Sequence, residues 1–272
     1  MARRCTASIN LNAIKKNYLY AKSLSPNTKA IAIVKANAYG HGAIKVATHL
    51  EDCADCYGVS CTEEAIELRN SGIDKTPILL MEGVFEVSEL KLIEKYNLIV
   101  TVCNSKQLGW LLGNKFNKPV DVFVKYDSGM GRLGFQGEEF INAINLLEEN
   151  EKIGQITLMT HFSSADDINS TSTNEQISNF DKTLYSKKYS ASLANSAAIM
   201  SLSESHREYT RPGIMLYGSS PFPEKTFLNK LTPSMTLSSV LISIKSFKAG
   251  QSIGYGCRYI CKKDTLIGVV AI

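Results

Sequence analysis

The sequence predicts an α/β fold, namely a closed (β/α)8 barrel followed by the beginning of a β-rich C-terminal domain. Short apolar runs alternate with amphipathic helical patterns through about 220 residues, which is typical of a parallel sheet whose strands are joined by helices. Several runs also end on a polar residue, as expected where strand ends surround one mouth. A doubly wound open sheet is the alternative, but the barrel explains the polar strand ends better.

The predicted strands are apolar runs bounded by turn residues or helical patterns. In chain order they are residues 30–35, 56–61, 77–82, 97–103, 120–125, 155–161, 189–194 and 208–216, the last two weakly patterned. Helices are predicted between them at Ala43–Leu50, 65–70, 86–94, 105–112 and 138–149. Ser60 and Glu63 have capping-box spacing, so we expect them to cap the helix that follows.

From Pro221 onward the alternation of strands and helices ends. The segment Pro221-Phe222-Pro223-Glu224 interrupts the pattern, and residues 235–244, 250–259 and 265–272 are predicted as strands with little helix between them. We therefore predict a barrel domain in residues 1–230 and the start of a β-rich domain in residues 231–272. Because the sequence stops inside an apolar strand, we expect this second domain to be incomplete.

The composition excludes several classes of protein. The 272 residues are 44% hydrophobic, which suits a large buried core rather than disorder. The formal charge of +4 comes from 30 basic and 26 acidic residues without a basic stripe, so no nucleic-acid partner is expected. The sequence contains no apolar run of membrane-spanning length, and polar residues follow the basic start, so we expect a cytoplasmic protein with no membrane partner.

The cysteine pattern indicates reduced thiols. The sequence has seven cysteines, an odd number in a chain too large to need disulfides. Cys53 and Cys56 have the spacing of a zinc or redox pair, yet the other close pair, Cys257 and Cys261, lies far away in the sequence. We therefore expect no metal site.

Lys35 is the leading candidate for a reactive group. It ends the apolar run of residues 30–34 and is followed by Ala36-Asn37-Ala38-Tyr39-Gly40-His41-Gly42. A lysine amine is a poor nucleophile at its ordinary pKa near ~10, but burial or neighbouring cations can activate it for Schiff-base formation. The glycines permit close approach to a ligand, and Tyr39 offers a hydrogen-bond donor for a phosphate. Without further evidence, a lysine in this position more often extends its side chain from a core strand to solvent and has no chemical role.

Polar residues at the ends of several predicted strands should meet at one mouth of the barrel. Each has an ordinary alternative, since a histidine can be a satisfied core residue, an Asn-Ser pair a helix cap, and an arginine before proline a solvated loop residue. Their convergence favours a site. The residues are Lys35, Lys125, His161, Asn195 and Arg211.

The longer motifs resemble those of alanine racemases, the barrel-type pyridoxal-phosphate enzymes. The segment Val34–Gly42 resembles their cofactor-lysine motif. Further matching segments occur in the family's order: residues 125–134 (KYDSGMGRLG), 160–162 (THF), 194–196 (ANS), 211–214 (RPGI) and 254–256 (GYG). The resemblance runs along the whole chain.

The resemblance implies an isomerase that interconverts L- and D-alanine with two proton-transferring groups. Lys35 would hold the cofactor and act on one face of the substrate, and Tyr255 would act on the other face from the partner subunit of a homodimer. Such a tyrosine must be stabilised as phenolate, because its ordinary pKa is near ~10. Whether the D-alanine serves cell-wall synthesis or is broken down is left open.

The resemblance also assigns the other site residues. Arg211 would face the pyridine nitrogen and keep it unprotonated, which favours simple proton exchange over transamination or elimination. Arg132 would bind the substrate carboxylate, and Lys125 matches a lysine that many members carry carbamylated. His161 would pack beside the cofactor. The residues expected to bind the cofactor are Lys35, Tyr39, His161, Asn195, Ser196, Arg211, Gly213 and Ile214.

Other functions remain open from the sequence. They are a serine or broad-specificity racemase, a barrel that binds pyridoxal phosphate without turnover, and a decarboxylase, for which an acid rather than Arg211 would be expected at the pyridine nitrogen. Because family segments with substrate-site residues would follow Ile272, we expect these 272 residues to bind the cofactor but to racemise slowly or not at all.

Overall fold

The computed structural model describes residues 4–183, 185–222 and 230–272, which form two compact units. The larger unit is Leu11–Ser234, and the smaller unit joins the described residues up to Asn10 to Met235–Ile272. Residues 223–229, which include part of the predicted interruption after Pro221, lie outside the described residues. The predicted division at residues 230 and 231 stays a prediction.

The larger unit is a closed parallel barrel of strands β2 to β9 in sequence order, with β2 paired to β9. The fold class is therefore the predicted one. The strands are β2 (Lys29–Ile33), β3 (Cys56–Val59), β4 (Ile78–Leu80), β5 (Leu98–Val102), β6 (Val120–Lys125), β7 (Ile153–Met159), β8 (Ser190–Ser192) and β9 (Tyr209–Thr210).

Helices connect these strands around the barrel. They are α1 (Leu11–Leu24), α2 (Lys35–Tyr39, a single turn with left-handed backbone), α3 (Ala43–Leu50), α4 (Thr62–Asn70), α5 (Leu90–Lys95), α6 (Ser105–Gly113), α7 (Gly137–Glu148), α8 (Ser172–Asp181) and α9 (Ser196–Ser201). Single 3-10 turns occur at Val87–Glu89, Ser203–Ser205 and Ile214–Tyr217. The helices Ala43–Leu50 and 138–149 were predicted almost to the residue.

The predicted capping box at Ser60 and Glu63 is wrong. Helix α4 begins after Cys61, whose side chain makes no capping bond. Instead the Glu64 carboxylate accepts a hydrogen bond of 2.8 Å from the Ser60 N–H. The start of α4 is thus held one residue later than the spacing indicated.

Side chains from several strands fill the barrel interior. Ile31 and Ile33 of β2 pack with Leu79 of β4 and Phe123 of β6 in one buried cluster. Full burial of each such side chain contributes about 1.5–3 kcal/mol. Gly58 on β3 leaves room for this packing, because a Cβ there would lie 2.6 Å from Ile33 Cδ1. The interior is therefore a packed core that closes the floor beneath the strand ends.

The smaller unit consists of paired antiparallel strands. The pairs join β1 (Thr6–Ile9) to β10 (Met235–Ser238), β11 (Leu241–Phe247) to β14 (Thr265–Val270), and β12 (Ser252–Ile253) to β13 (Tyr259–Ile260). The single strand predicted at residues 235–244 is divided at residues 239–240, and the strand predicted at 250–259 is interrupted by the turn Tyr255–Cys257. Strand β1 lies outside every predicted strand.

Candidate active site

A cavity of about 570 Å³ lies at the carboxyl ends of the barrel strands. Its walls come from the loops that follow β2, β4, β6, β7, β8 and β9, so strand ends distant in sequence share one space. Every site residue that the sequence predicted, apart from Tyr255, lines it. These residues are Lys35, Tyr39, Lys125, Arg132, His161, Asn195, Ser196, Arg211, Gly213 and Ile214.

Lys35 lies just beyond the end of β2. Its Nζ donates to Glu82 Oε1 at 3.2 Å, and both side chains are about one third exposed. Glu82 follows β4 and also lines the cavity. The Lys35 amine therefore lies at the carboxyl end of the barrel, where it is paired with the Glu82 carboxylate and accessible from the cavity.

The turn after Lys35 has an unusual backbone. Ala36, Asn37, Ala38 and Tyr39 all have φ between 52° and 54°, in the left-handed region. For residues with a side chain this costs roughly 1–2 kcal/mol each, so other contacts must hold the turn. The Ala36 N–H donates to Glu64 Oε1 at 2.7 Å, and Asn37 Oδ1 accepts from the Ala43 N–H at 2.8 Å. These hydrogen bonds hold the strained turn that links Lys35 to Tyr39.

A neutral-donor cluster, Tyr39, Ser196 and Gly213, occupies one part of the cavity. Ser196 begins α9, and its Oγ accepts from the Gly213 N–H at 2.9 Å. A Cβ added to Gly213 would lie 3.2 Å from Tyr39 Oη and 3.8 Å from Ser196 Oγ. Burial raises the pKa of Tyr39, so its hydroxyl stays a donor. The Tyr39 and Ser196 hydroxyls thus lie close to the Gly213 N–H, which is bonded to Ser196 Oγ, and all three groups are uncharged.

The Tyr39 ring and the start of α9 are both fixed in place. The ring stacks on that of Tyr217, with centroids 5.0 Å apart, and the Tyr217 hydroxyl donates to the Ile33 carbonyl at 2.7 Å. Asn195 caps α9 by accepting from the Ala198 N–H at 3.1 Å. Asn195 is therefore both a helix cap and a cavity residue.

Arg211 is a buried cation held by backbone carbonyls at the ends of two neighbouring strands, β7 and β8. Its Nη1 donates to the Ser192 carbonyl at 2.7 Å, and its Nη2 donates to the Thr160 carbonyl at 2.6 Å. Its Nε has no hydrogen-bond partner among the described residues. Burial lowers the pKa of Arg211 to about 10, which leaves it protonated at neutral pH. One donor of a fixed guanidinium is thus free for a ligand.

His161 is neutral because burial and neighbouring cations disfavour its protonated form. Burial, together with the positive charges of Arg211 and Lys125, lowers the pKa of His161 to about 3. Its Nδ1 lies 3.2 Å from Arg211 Nη2. Since a guanidinium only donates, this nitrogen must accept, and the proton is on Nε2.

Lys125 at the end of β6 is 6% exposed. Burial lowers the pKa of Lys125, with a smaller contribution from the charges of Arg211 and Arg132 in the same direction. Within residues 4–183, 185–222 and 230–272, no carboxylate lies within ion-pair distance of its Nζ. A buried lysine of this kind is chemically unusual.

Arg132 reaches the cavity from a structured loop. Asp127 accepts from the N–H groups of Gly129 at 3.1 Å and Gly131 at 3.0 Å, and from Gln136 Nε2 at 2.9 Å. Burial acts to raise the pKa of Asp127, but these hydrogen bonds outweigh it and the net pKa is lowered. The charged Asp127 therefore shapes the loop that carries Arg132.

Sequence reasoning missed Glu82, although a signal was present. The predicted strand 77–82 ended on this residue, as other predicted strands ended on Lys35 and Lys125. The Glu82 carbonyl accepts from Gln107 Nε2 at 2.9 Å, which anchors the loop to α6. A charged residue at the end of a barrel strand is expected to face the mouth of the barrel, so the sequence could have indicated Glu82 as a site residue.

Tyr255 is not in this cavity lining. It belongs to the smaller unit, in the turn Tyr255–Cys257, and its side chain is fully exposed. The structure leaves its predicted role untested.

Comparisons with known protein families match two regions of the chain. The family model for the alanine racemase N-terminal domain matches residues 9–221, and the model for the C-terminal domain matches residues 234–272.

Individual relatives match almost the whole chain. An alanine racemase of Xanthomonas axonopodis pv. citri is 42% identical over 271 residues, covering 99% of this chain and 74% of that protein. A catabolic alanine racemase of Pseudomonas putida is 40% identical, with 99% and 75% covered. The crystal structure of a biosynthetic alanine racemase from Pseudomonas aeruginosa is 39% identical, with a TM-score of 0.94 over 98% of this chain and 75% of that one. The chain therefore belongs to the alanine racemase family.

Proposed function

We propose that this protein is an isomerase that interconverts L- and D-alanine with pyridoxal phosphate as cofactor. The observation that carries the proposal is the Arg211 guanidinium, which is 3% exposed, fixed by backbone carbonyls and left with a free Nε–H in the same cavity as Lys35. Membership of the alanine racemase family supports the reaction.

The cavity residues fit pyridoxal phosphate. The free Nε–H of Arg211 suits a heteroaromatic nitrogen, which is an acceptor when unprotonated. The neutral-donor cluster suits a phosphate, which is bound well by backbone N–H and hydroxyl groups at a helix start. The cavity has room for the cofactor and a small amino acid.

When bound, the cofactor supplies a covalent attachment for an amino group and a conjugated ring that acidifies the substrate Cα. Lys35 would hold the cofactor, and its amine would carry a proton to or from one face of the substrate Cα. Tyr255 serves the opposite face. Arg132 binds the substrate carboxylate, and Arg211 holds the ring nitrogen unprotonated because it cannot act as an acid there.

Lys125 is proposed to be carbamylated. Its neutral amine would attack carbon dioxide, forming a nitrogen–carbon bond and releasing one proton, which leaves a carbamate anion. Burial lowers the pKa of Lys125 and so favours the neutral amine that this reaction needs. The resulting anion would hold Arg132 in place. An added mass of carbon dioxide on the peptide containing Lys125, seen at neutral pH and lost in acid, would support the assignment.

The reaction is tested by proton exchange at Cα. The protein is incubated with pyridoxal phosphate and either L- or D-alanine in heavy water, and deuterium at Cα is measured by proton NMR. We expect deuterium to enter Cα of both enantiomers slowly, starting from either one. A reducible cofactor adduct without exchange would instead indicate a barrel that only binds the cofactor, and exchange with serine equal to that with alanine would indicate broader specificity.

A homodimer with shared sites is also part of the proposal. It is tested by mixing Lys35→Ala with Tyr255→Phe under conditions that exchange subunits. If one copy supplies Lys35 and the other Tyr255, the mixture regains activity that each variant lacks, because half of the sites in a mixed dimer are intact. No recovery, with subunit exchange verified, would contradict a shared site.

A cytoplasmic location is also part of the proposal, and the state of the cysteines supports it. All seven are free thiols, which fits the reducing cytoplasm. Among the described residues, no helix is both long and apolar enough to cross a membrane.

A further inference from the structure

Gln176, a buried residue of α8, lies behind the cavity wall and uses the full hydrogen-bonding capacity of its amide. It is 3% exposed. Its Nε2 donates to the Ser128 Oγ at 3.2 Å and to the His161 carbonyl at 3.0 Å. Its Oε1 accepts from the Ser163 N–H at 2.9 Å and from the Ser163 Oγ at 3.1 Å. A side chain with all four bonds made has one orientation.

These partners belong to two different loops. Ser128 lies in the loop after β6 that carries Arg132, whereas His161 and Ser163 lie in the loop after β7. The first loop is also close to Gln176 through its backbone, since a Cβ on Gly129 would lie 3.3 Å from Gln176 Cγ. The same amide therefore fixes both loops against α8.

The second loop leads directly to Arg211. The Thr160 carbonyl and His161 Nδ1 both contact Arg211 Nη2, at 2.6 Å and 3.2 Å. The hydroxyls of Thr160 and Ser128 are 2.7 Å apart, which closes the network between the two loops. Displacing Gln176 would therefore alter the position of Arg132 relative to Arg211.

We propose that Gln176 is a positioning residue that sets the spacing between Arg132, the proposed carboxylate reader, and Arg211, the cation proposed to face the cofactor ring. This inference rests on the proposed function. Because Gln176 does not line the cavity, it acts through the loops alone. Its loss should affect recognition of the substrate carboxylate more than attachment of the cofactor to Lys35.

The test replaces the amide without changing its length, in Gln176→Met. We expect the variant to form the borohydride-reducible adduct with pyridoxal phosphate at an affinity within about threefold of wild type. We expect propionate, a carboxylate without the reacting amine, to bind the cofactor-loaded variant roughly tenfold more weakly, measured by its perturbation of the cofactor absorbance. KM for L- and D-alanine should rise by a similar factor, with a smaller change in kcat.

Two further variants make the result specific. Ser128→Ala removes only one hydrogen-bond partner of Gln176 and should also weaken propionate binding. This variant tests the proposal even when Gln176→Met folds poorly. Thr173→Val alters a buried residue of the same helix whose hydroxyl has no partner within the described residues, and it should bind propionate as wild type does.

Three outcomes separate the possibilities. Unchanged propionate binding in both Gln176→Met and Ser128→Ala overturns the positioning role. Equal losses in Gln176→Met and Thr173→Val, together with a lowered unfolding midpoint in both, also overturn it, because helix packing alone would then explain the effect. Absence of any cofactor adduct in the wild-type chain would instead contradict the proposed function.

Discussion

The cavity has two contrasting regions. The neutral-donor cluster of Tyr39, Ser196 and Gly213 carries no net charge, whereas the other region contains Arg132 and Arg211, the cationic cluster, together with Lys125 and the neutral His161. The first uses hydroxyl and backbone N–H groups within a few ångströms of one another. The second contains charged side chains, and burial, with a smaller contribution from these charges, lowers the pKa of His161 and Lys125.

The difference indicates two kinds of binding task. Directional neutral donors hold an anion in one orientation without fixing the protonation state of nearby groups. Permanent cations impose a protonation state on whatever faces them. We infer that the first cluster anchors a ligand and the second controls its chemistry, and the variants below separate these roles.

The largest effect is expected for Lys35→Ala. Removing the amine should abolish the borohydride-reducible adduct and reduce alanine exchange by on the order of 10³-fold or more, because covalent attachment and one proton transfer are both lost. Lys29→Ala is the control, since Lys29 begins the same strand at the opposite end of the barrel. Equal losses of the reducible adduct and of alanine exchange in both variants would argue against a special role for the cavity end of β2.

The next largest effect is expected for Arg211→Lys. An ammonium cannot replace the guanidinium's bonds to the Ser192 and Thr160 carbonyls, so the free energy of unfolding should fall by about 3 kcal/mol. Pyridoxal phosphate should also bind about tenfold or more weakly, because the guanidinium Nε–H proposed to face the ring nitrogen is lost. Arg207→Lys, which alters a surface ion pair with Asp181, should change stability by less than about 1 kcal/mol. Comparable destabilisation in the two variants, measured by chemical denaturation, would contradict this view.

The neutral state of His161 makes a prediction about pH. Its pKa is lowered from the ordinary value of 6.5 to about 3, so between these values the unfolded chain binds a proton that the folded chain does not. Stability should therefore decrease as the pH falls through this window, by up to a few kcal/mol. In His161→Gln this contribution should be absent, leaving a shallower pH dependence of the free energy of unfolding. Parallel curves for the two proteins would show that His161 titrates normally.

The smallest effect is expected for Tyr39→Phe, which removes one neutral donor. Pyridoxal phosphate should bind about three- to tenfold more weakly, as expected for a neutral hydrogen bond of 0.5–1.5 kcal/mol. Pyridoxal, which lacks the phosphate, serves as the matched ligand and should bind equally to wild type and variant. An equal loss for both ligands would place Tyr39 against another part of the cofactor.

The barrel could be predicted from the sequence because its signals are local. Each apolar run became a strand, and the residues that end them, such as Lys35 and Lys125, reached one mouth as parallel topology requires. Most observed strands are shorter at their carboxyl ends than predicted. After β2, β4 and β7 the residues beyond the shortened strand end include Lys35, Glu82 and His161, which line the cavity.

What the sequence did not predict depends on tertiary contacts. The left-handed turn at Ala36–Tyr39 has no glycine inside it and is held by Glu64 from another connection. Gln176 and Ser128 are far apart in sequence and carry no motif that marks their contact. β1 pairs with β10 over more than two hundred residues. These contacts form only in the folded structure, and no local sequence pattern indicates them.

The most direct measurement of the central claim is the mapping of a trapped adduct. The wild-type protein is incubated with pyridoxal phosphate, reduced with borohydride, digested and analysed by mass spectrometry. The proposed chemistry requires the pyridoxyl group on the peptide that contains Lys35, with other lysines unmodified at equimolar cofactor. A dominant adduct on Lys125 or on a surface lysine would contradict it.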